Sequence, residues 1–174
     1  MATVYRSTDL KKELQQLNSN ELLALCLRLA RFKKENKELL TYLLFRADDQ
    51  DLFIQEYKEE MDQQFKKISG TNYIVVKTVR KIATQMHNQM RYAANETVGT
   101  ELLLHFCNNY INYVNYHTQY KPLRNIFYRF VEKLKAEILK LQEDLQYDYG
   151  LLYEAMLTEA EQEIYWFEKK QFVL

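Results

Sequence analysis

Amides, phenols and an imidazole crowd into one stretch of this chain, Asn109-Tyr110-Ile111-Asn112-Tyr113-Val114-Asn115-Tyr116-His117, in a sequence with 14 tyrosines among 174 residues. On a helical wheel Tyr110, Val114 and His117 turn toward one side, the expected core. His105, Asn109, Asn112 and Tyr116 gather on the opposite side, with Glu101 nearby. Such a row can hydrogen-bond a peptide backbone, a base edge or a small polar ligand. The same row would also serve as the solvated or interhelical side of a long helix, because tyrosine suits any place where one end is apolar and the other wet. His105, Asn109, Asn112 and Tyr116 are therefore the first candidates for contact with a ligand or partner.

A second constellation is basic. The formal net charge is zero, but residues 66–140 carry 12 basic and 4 acidic groups, against 10 and 12 in residues 1–65 and 2 and 8 in residues 141–174. Lys77, Arg80 and Lys81 share the polar side of one expected helix, and Arg129, Lys133 and Lys140 form a band on another. With Arg91, Lys121 and Arg124 they could meet phosphates, and exposed tyrosines could stack on bases. Solubility, or pairing with the acidic ends, accounts for the same charges without a ligand. Glu132 and Glu137 interrupt the band, and no named nucleic-acid module is present.

Reaction chemistry is harder to place. His87, His105 and His117 form no His-Glu-x-x-His, and the paired Glu-x-x-His segments of a diiron bundle are missing. Asp49-Gln-Asp51 opens like a calcium loop, but Ile54 stands where that loop needs glycine. The three glycines stand alone at positions 70, 99 and 150, so neither glycine-rich phosphate loop can form. Cys26 and Cys107 make no Cys-x-x-Cys and are expected to be small buried hydrophobes on helix stripes. His117 faces inward with no Ser or Cys nucleophile set beside it, and His87 sits at a stripe boundary with Arg91 one turn away. Both read as structural. No metal site and no cofactor are expected.

The elements that must position these residues are helices. Three glycines and one proline leave few turn points, which favours long rods over many short strands. The amino end gains charge at once and lacks an apolar core, so no secretory signal is expected and the cytoplasm is the expected compartment. The uncharged run from Leu102 to Tyr120 has the length of a membrane span, but its asparagines and histidines are costly in lipid, so no membrane segment is expected.

Periodicity sets the boundaries. A short helix follows Ser7 or Thr8 to about Leu17, carrying Leu10, Leu14 and Leu17. Asn18 with Glu21 resembles a capping box and opens a helix through Leu22, Cys26, Leu29 and Ala30. Asn36 is the expected cap of a helix with Leu39, Leu40, Leu43 and Leu44, although one long kinked helix would produce the same pattern. Asp48 and Asp49 begin one that repeats Phe53, Tyr57, Met61, Phe65 and Ile68 and stops near Ser69-Gly70. Asn72 is the expected cap of the stripe Val75, Val79, Ile82, Met86, Met90 and Ala93. Asn95 separates it from the Leu103, Phe106, Tyr110, Val114 and His117 helix. Lys121-Pro122 then starts a rod that keeps Leu123, Phe127, Phe130, Leu134, Ile138, Leu141 and Leu145 on one side. Gly150 is the expected reversal before a last helix facing inward through Leu152, Met156, Ala160, Ile164 and Phe167.

The fold class that follows is all-α: one domain over 1–174, a compact bundle or a stack of antiparallel hairpins, with roughly six to eight helices. The leucine-rich rod 123–145 could pair with a second copy as a coiled coil to give a homodimer. The expected function is a non-catalytic helical protein-interaction or scaffold domain with a protein or peptide partner. The alternatives are a nucleic-acid-associated protein using residues 66–140, and an enzyme or cofactor-binding protein whose site is assembled from distant helices.

Overall fold

The computed structural model describes residues 4–114 and 119–174. Among them the chain is all-α. Its helices are α1 (Ser7–Leu14), α2 (Ser19–Phe32), α3 (Lys34–Phe45), α4 (Gln50–Lys66), α5 (Asn72–Ala93), α6 (Glu96–Val114), α7 (Lys121–Ile138) and α8 (Glu143–Glu163), followed by a 3-10 turn at Lys169–Gln171. The chain divides into two compact units, Met1–Phe45 and Arg46–Leu174.

In the first unit the capping signal ahead of α2 acts as expected. The Asn18 Oδ1 accepts from the backbone N–H groups of Asn20 and Glu21 at 3.0 Å, and Glu21 Oε2 accepts from the Asn18 N–H at 2.8 Å. This reciprocal box satisfies three amides and starts α2. Only Lys33 separates α2 from α3, and the two pack as a hairpin. Asn36 does not cap α3: it lies inside that helix and donates from Nδ2 to the Leu29 carbonyl at 2.9 Å, tying the hairpin together. The leucine stripes, however, are not buried. Among the described residues of this unit Tyr42 alone is buried, while Leu10, Leu14, Leu29, Leu39, Leu43 and Leu44 are exposed. Cys26, expected inside, is exposed as well. Three short helices offer too little facing surface to cover apolar groups spread around α2.

The second unit is a bundle organised around α6. That helix packs on α4, α5, α7 and α8, and twelve of its residues are buried, from Val98 and Leu102 to Tyr110, Ile111 and Val114. A helix packed against four neighbours needs little wet face, which accounts for the uncharged stretch from Leu102 to Val114. Aromatic pairs lock the layers: Phe106 lies 5.3 Å edge-on from Phe65 and 4.4 Å from Phe130, and Tyr110 stacks on Phe127 at 4.7 Å. The last residues fold back as an aromatic cluster, with Phe167 stacked on Phe172 at 5.2 Å and the Tyr153 hydroxyl donating to the Phe172 carbonyl at 2.9 Å.

In the second unit three boundaries differ from the periodic reading. The 123–145 rod is two helices, because α7 ends at Ile138 and α8 begins at Glu143. Gln146 Nε2 donates to the Leu139 and Leu141 carbonyls at 3.2 and 2.7 Å, supplying donors to the carbonyls around the break. Glu143 and Asp144 place acid in the first turn of α8, where the helix dipole favours it. Gly150 does not reverse the chain: it lies inside α8, whose buried face runs through Tyr149, Tyr153, Met156, Leu157 and Ala160, leaving Leu152 exposed. Asn72 is the first residue of α5, and Thr71 is its N-cap.

Candidate functional site

Two members of the row found in α6, His105 and Asn109, meet α4. His105 Nε2 stands 2.6 Å from Asp62 Oδ1, and Asn109 Nδ2 donates to the same oxygen at 2.8 Å. Asn109 is buried, and His105 and Asp62 are partly so. Asn112 is exposed, and Tyr116, like His117, lies outside the described residues. Of the residues that the sequence grouped as one contact face, His105 and Asn109 thus join two helices of the bundle, while Asn112 is exposed.

One turn before His105, Glu101 ties three helices together. The Lys58 ammonium of α4 pairs with Glu101 Oε2, and the Tyr149 hydroxyl of α8 donates to Glu101 Oε1 at 2.6 Å. Burial pushes the Glu101 carboxyl up, but hydrogen bonds from Lys58 and Tyr149, with the charges of Lys58 and His105, hold it below the ordinary range. Burial and the adjacent carboxylate push the Tyr149 phenol well above its usual value. Each group is thus fixed in its resting state, Glu101 ionised and Tyr149 protonated, which suits a structural clamp and not proton transfer near neutrality. A shallow depression of about 390 Å³ beside the clamp is lined by Asp51, Ile54, Gln55, Lys58, Glu59, Asp62 and Glu101. Sequence spacing could not reveal this clamp, because its members lie 43 and 48 residues apart.

The basic residues divide differently. Arg80 on α5 and Arg129 on α7 come together with Lys121, Pro122, Asn125 and Ile126 around a depression of about 310 Å³. Lys77 and Lys81 are exposed on α5 but do not line it. Lys133 lies one turn beyond Arg129. Burial lowers its ammonium below the ordinary value; Glu137 counters this, while Lys140 and Arg129 add repulsion. Lys140 pairs with Glu137 at 3.0 Å, which occupies it locally. Arg124 does not line the depression and sits 4.8 Å over the Trp166 ring. His87 stacks on Phe130 at 5.5 Å. Burial, then the charges of Lys133 and Arg129, lower its imidazole below the ordinary value.

The apolar surface of the first unit was not among the sequence candidates. A groove of about 610 Å³ runs between α2 and α3, with Leu27, Ala30, Leu40, Leu44 and Phe45 along it and Arg31, Lys33, Lys34 and Lys37 at its rim. Leu44 is 62% exposed, and Phe32 and Phe45 reach 76% and 74%. No carboxylate lines the groove, although Lys34 pairs with Glu38 at 3.0 Å. The sequence did carry a signal: Leu22, Leu23, Leu25, Leu27 and Leu29 point to more than one side of α2, more than a single core face can take.

Chemistry that would mark a reaction centre is sparse in the described residues. No group of three or more His, Cys, Asp or Glu is placed to hold a metal ion. The Cys107 thiol is fully buried and pushed far up by burial, which keeps it protonated. No helix among the described residues is long and apolar enough to cross a membrane. No family model matches the chain, and no curated protein and no solved structure matches it either.

Proposed function

We propose that the chain is a non-catalytic protein-interaction module whose α2–α3 hairpin receives an acidic amphipathic helix of a partner protein. The observation that carries this reading is the pairing of an exposed leucine and phenylalanine groove with a rim of cations and no lining carboxylate. Contiguous apolar surface is costly to leave in water and marks contact sites when it is rimmed by polar groups. A helix laid in such a groove would bury one apolar stripe against Leu27, Leu40, Leu44 and Phe45. Carboxylates flanking that stripe would meet Arg31, Lys33, Lys34 and Lys37, which fixes orientation and speeds encounter. The reading moves the partner surface from the α6 row to the hairpin, since His105 and Asn109 already bond to Asp62.

Fluorescence anisotropy with the full chain tests it. The probe is a labelled synthetic helix of about 18 residues with leucines at i, i+3, i+4 and i+7 and glutamates on its flanks. A twin carries lysines in place of the glutamates. The glutamate probe binds saturably and at least about tenfold more tightly than its twin, and Leu44→Gln with Leu27→Gln removes the difference. Equal binding of both probes overturns the charge argument. A chain that is already dimeric, and that these two substitutions turn into monomers, assigns the groove to a second copy instead.

A further inference from the structure

We propose that the depression between α5 and α7 binds a phosphate group, free or as the terminal monoester of a small molecule, through Arg80, Lys121 and Arg129, with Asn125 as a neutral hydrogen-bonding amide. The inference is independent of the hairpin groove, because every residue it uses lies in the second unit. Three cations from two helices converge on one concavity of about 310 Å³, and no carboxylate lines it. Among the described residues none of the three side chains is held in an ion pair or hydrogen bond, though the Arg129 guanidinium lies 5.6 Å from the Phe130 ring. Like charges brought together without a counter-charge repel, and an anion is the group that relieves this.

The surroundings reinforce the sign of the field. The first turn of α7 holds no acid and begins with Lys121 and Arg124, so side-chain charge adds to the positive end of the helix dipole instead of offsetting it. Lys133 and His87, the next basic groups along this face, are each less willing to hold a proton, partly through the charge of Arg129. Guanidinium groups suit the ligand because their planar forks match phosphate oxygens in pairs.

The shape favours a compact group over a polymer. Pro122 and Ile126 are the apolar members of the lining, and no aromatic ring belongs to it. Single-stranded nucleic acid is usually held by bases stacked on such rings along a charged track. Of the other basic candidates, Lys140 is engaged by Glu137 and neither Lys77 nor Lys81 reaches the depression, so the described cations form a pocket and not a track.

The test is NMR titration of the full chain with inorganic phosphate and with glycerol 3-phosphate, each against potassium chloride at matched ionic strength. Saturable shifts centred on Arg80, Lys121, Asn125 and Arg129 are the expected result with at least one probe, and comparing the two tells a free phosphate site from an ester site. Arg80→Gln and Arg129→Gln, both at exposed positions, each weaken binding by about tenfold, while Lys66→Gln on α4 leaves it unchanged. Shifts no larger than those from chloride overturn the proposal, as does full binding by either arginine variant. A mixed-sequence oligonucleotide that binds with equal dependence on Lys77, Lys81, Lys133 and Lys140 also overturns it, because the pocket would then be one stretch of a polyanion surface.

Discussion

Asp62 Oδ1 serves two donors at once, the His105 ring nitrogen and the Asn109 amide, so removing it takes the acceptor from one buried and one partly buried polar group. An unmatched buried donor costs more than a hydrogen bond gains, and the half-exposed position of Asp62 tempers that cost. Asp62→Ala is expected to lower stability by about 1–2 kcal/mol, and Asp62→Asn by less, as measured by urea unfolding. An unchanged unfolding midpoint for Asp62→Ala would show that the α4–α6 polar row contributes nothing. His87 makes a prediction with a definite pH sign. Its imidazole is lowered in the folded chain by burial and by Lys133 and Arg129, so the unfolded chain binds this proton more readily. Acidification through about pH 6.5, the ordinary histidine value, therefore favours unfolding, and the penalty grows until the pH passes below the folded-state value. The stack on Phe130 can be kept without the charge. Thermal unfolding of His87→Phe should lose less stability than the parent between roughly pH 7 and 5, and parallel curves for the two proteins would remove the argument.

Helix α8 shows how an element can be read correctly in type and wrongly in extent. Gly150 was the natural place for a reversal, yet it sits in mid-helix with an added Cβ only 3.5 Å from Leu174 Cδ1, an ordinary contact. Gly150→Ala is thus expected to stabilise the chain by about 0.5–1 kcal/mol, the helix-interior difference between the two residues. Gly70 gives the opposite sign, because its φ of 102° lies where side chains are strained, and Gly70→Ala should lower the melting temperature while Gly150→Ala raises it. Loss of stability in Gly150→Ala would mean that α8 is not regular there. What the sequence made legible follows from the range of each interaction. The Asn18–Glu21 box, the Asp49 cap and the Lys121-Pro122 start depend on residues within one turn, and all are found. The break at Leu139–Gln142 was hidden because Leu141 is buried on the same side as the α7 stripe, so periodicity runs on where the backbone does not. The polar row of α6 was visible as a row, but its destination depended on α4, and no local pattern says which neighbour covers a helix. The pairing of Arg80 with Arg129 and Lys121 was likewise invisible in detail, although the excess of basic residues in 66–140 pointed to the region.

At the scale of the molecule, the two units differ in how much holds each one together. In Arg46–Leu174 the side chains of Phe65, Phe106, Phe127, Leu134 and Tyr153 are fully buried, and α6 packs against four other helices. Among the described residues of Met1–Phe45 only Tyr42 is buried, and not fully, and α1–α3 are 8, 14 and 12 residues long. Helices of that length are marginal in water unless an apolar face is packed away, so their hydrogen bonds should open by local steps well below the free energy of global unfolding. Hydrogen exchange on the full chain checks this directly. Amides in the middle of α6 and α7 are expected to exchange most slowly, and those of α2 and α3 at least about tenfold faster. Adding the glutamate-flanked helix probe should slow α2 and α3 alone, because ligand binding stabilises the element it touches in proportion to occupancy. Equal protection of α3 and α6 in the free chain would mean that Leu43, Leu44 and Phe45 are already covered in solution. The dimer test on Leu27 and Leu44 would then say whether a second copy covers them. Fast exchange in α2 and α3 that the probe slows would instead tie the looseness of this hairpin to its use: a surface kept open because its remaining contacts are to come from a partner.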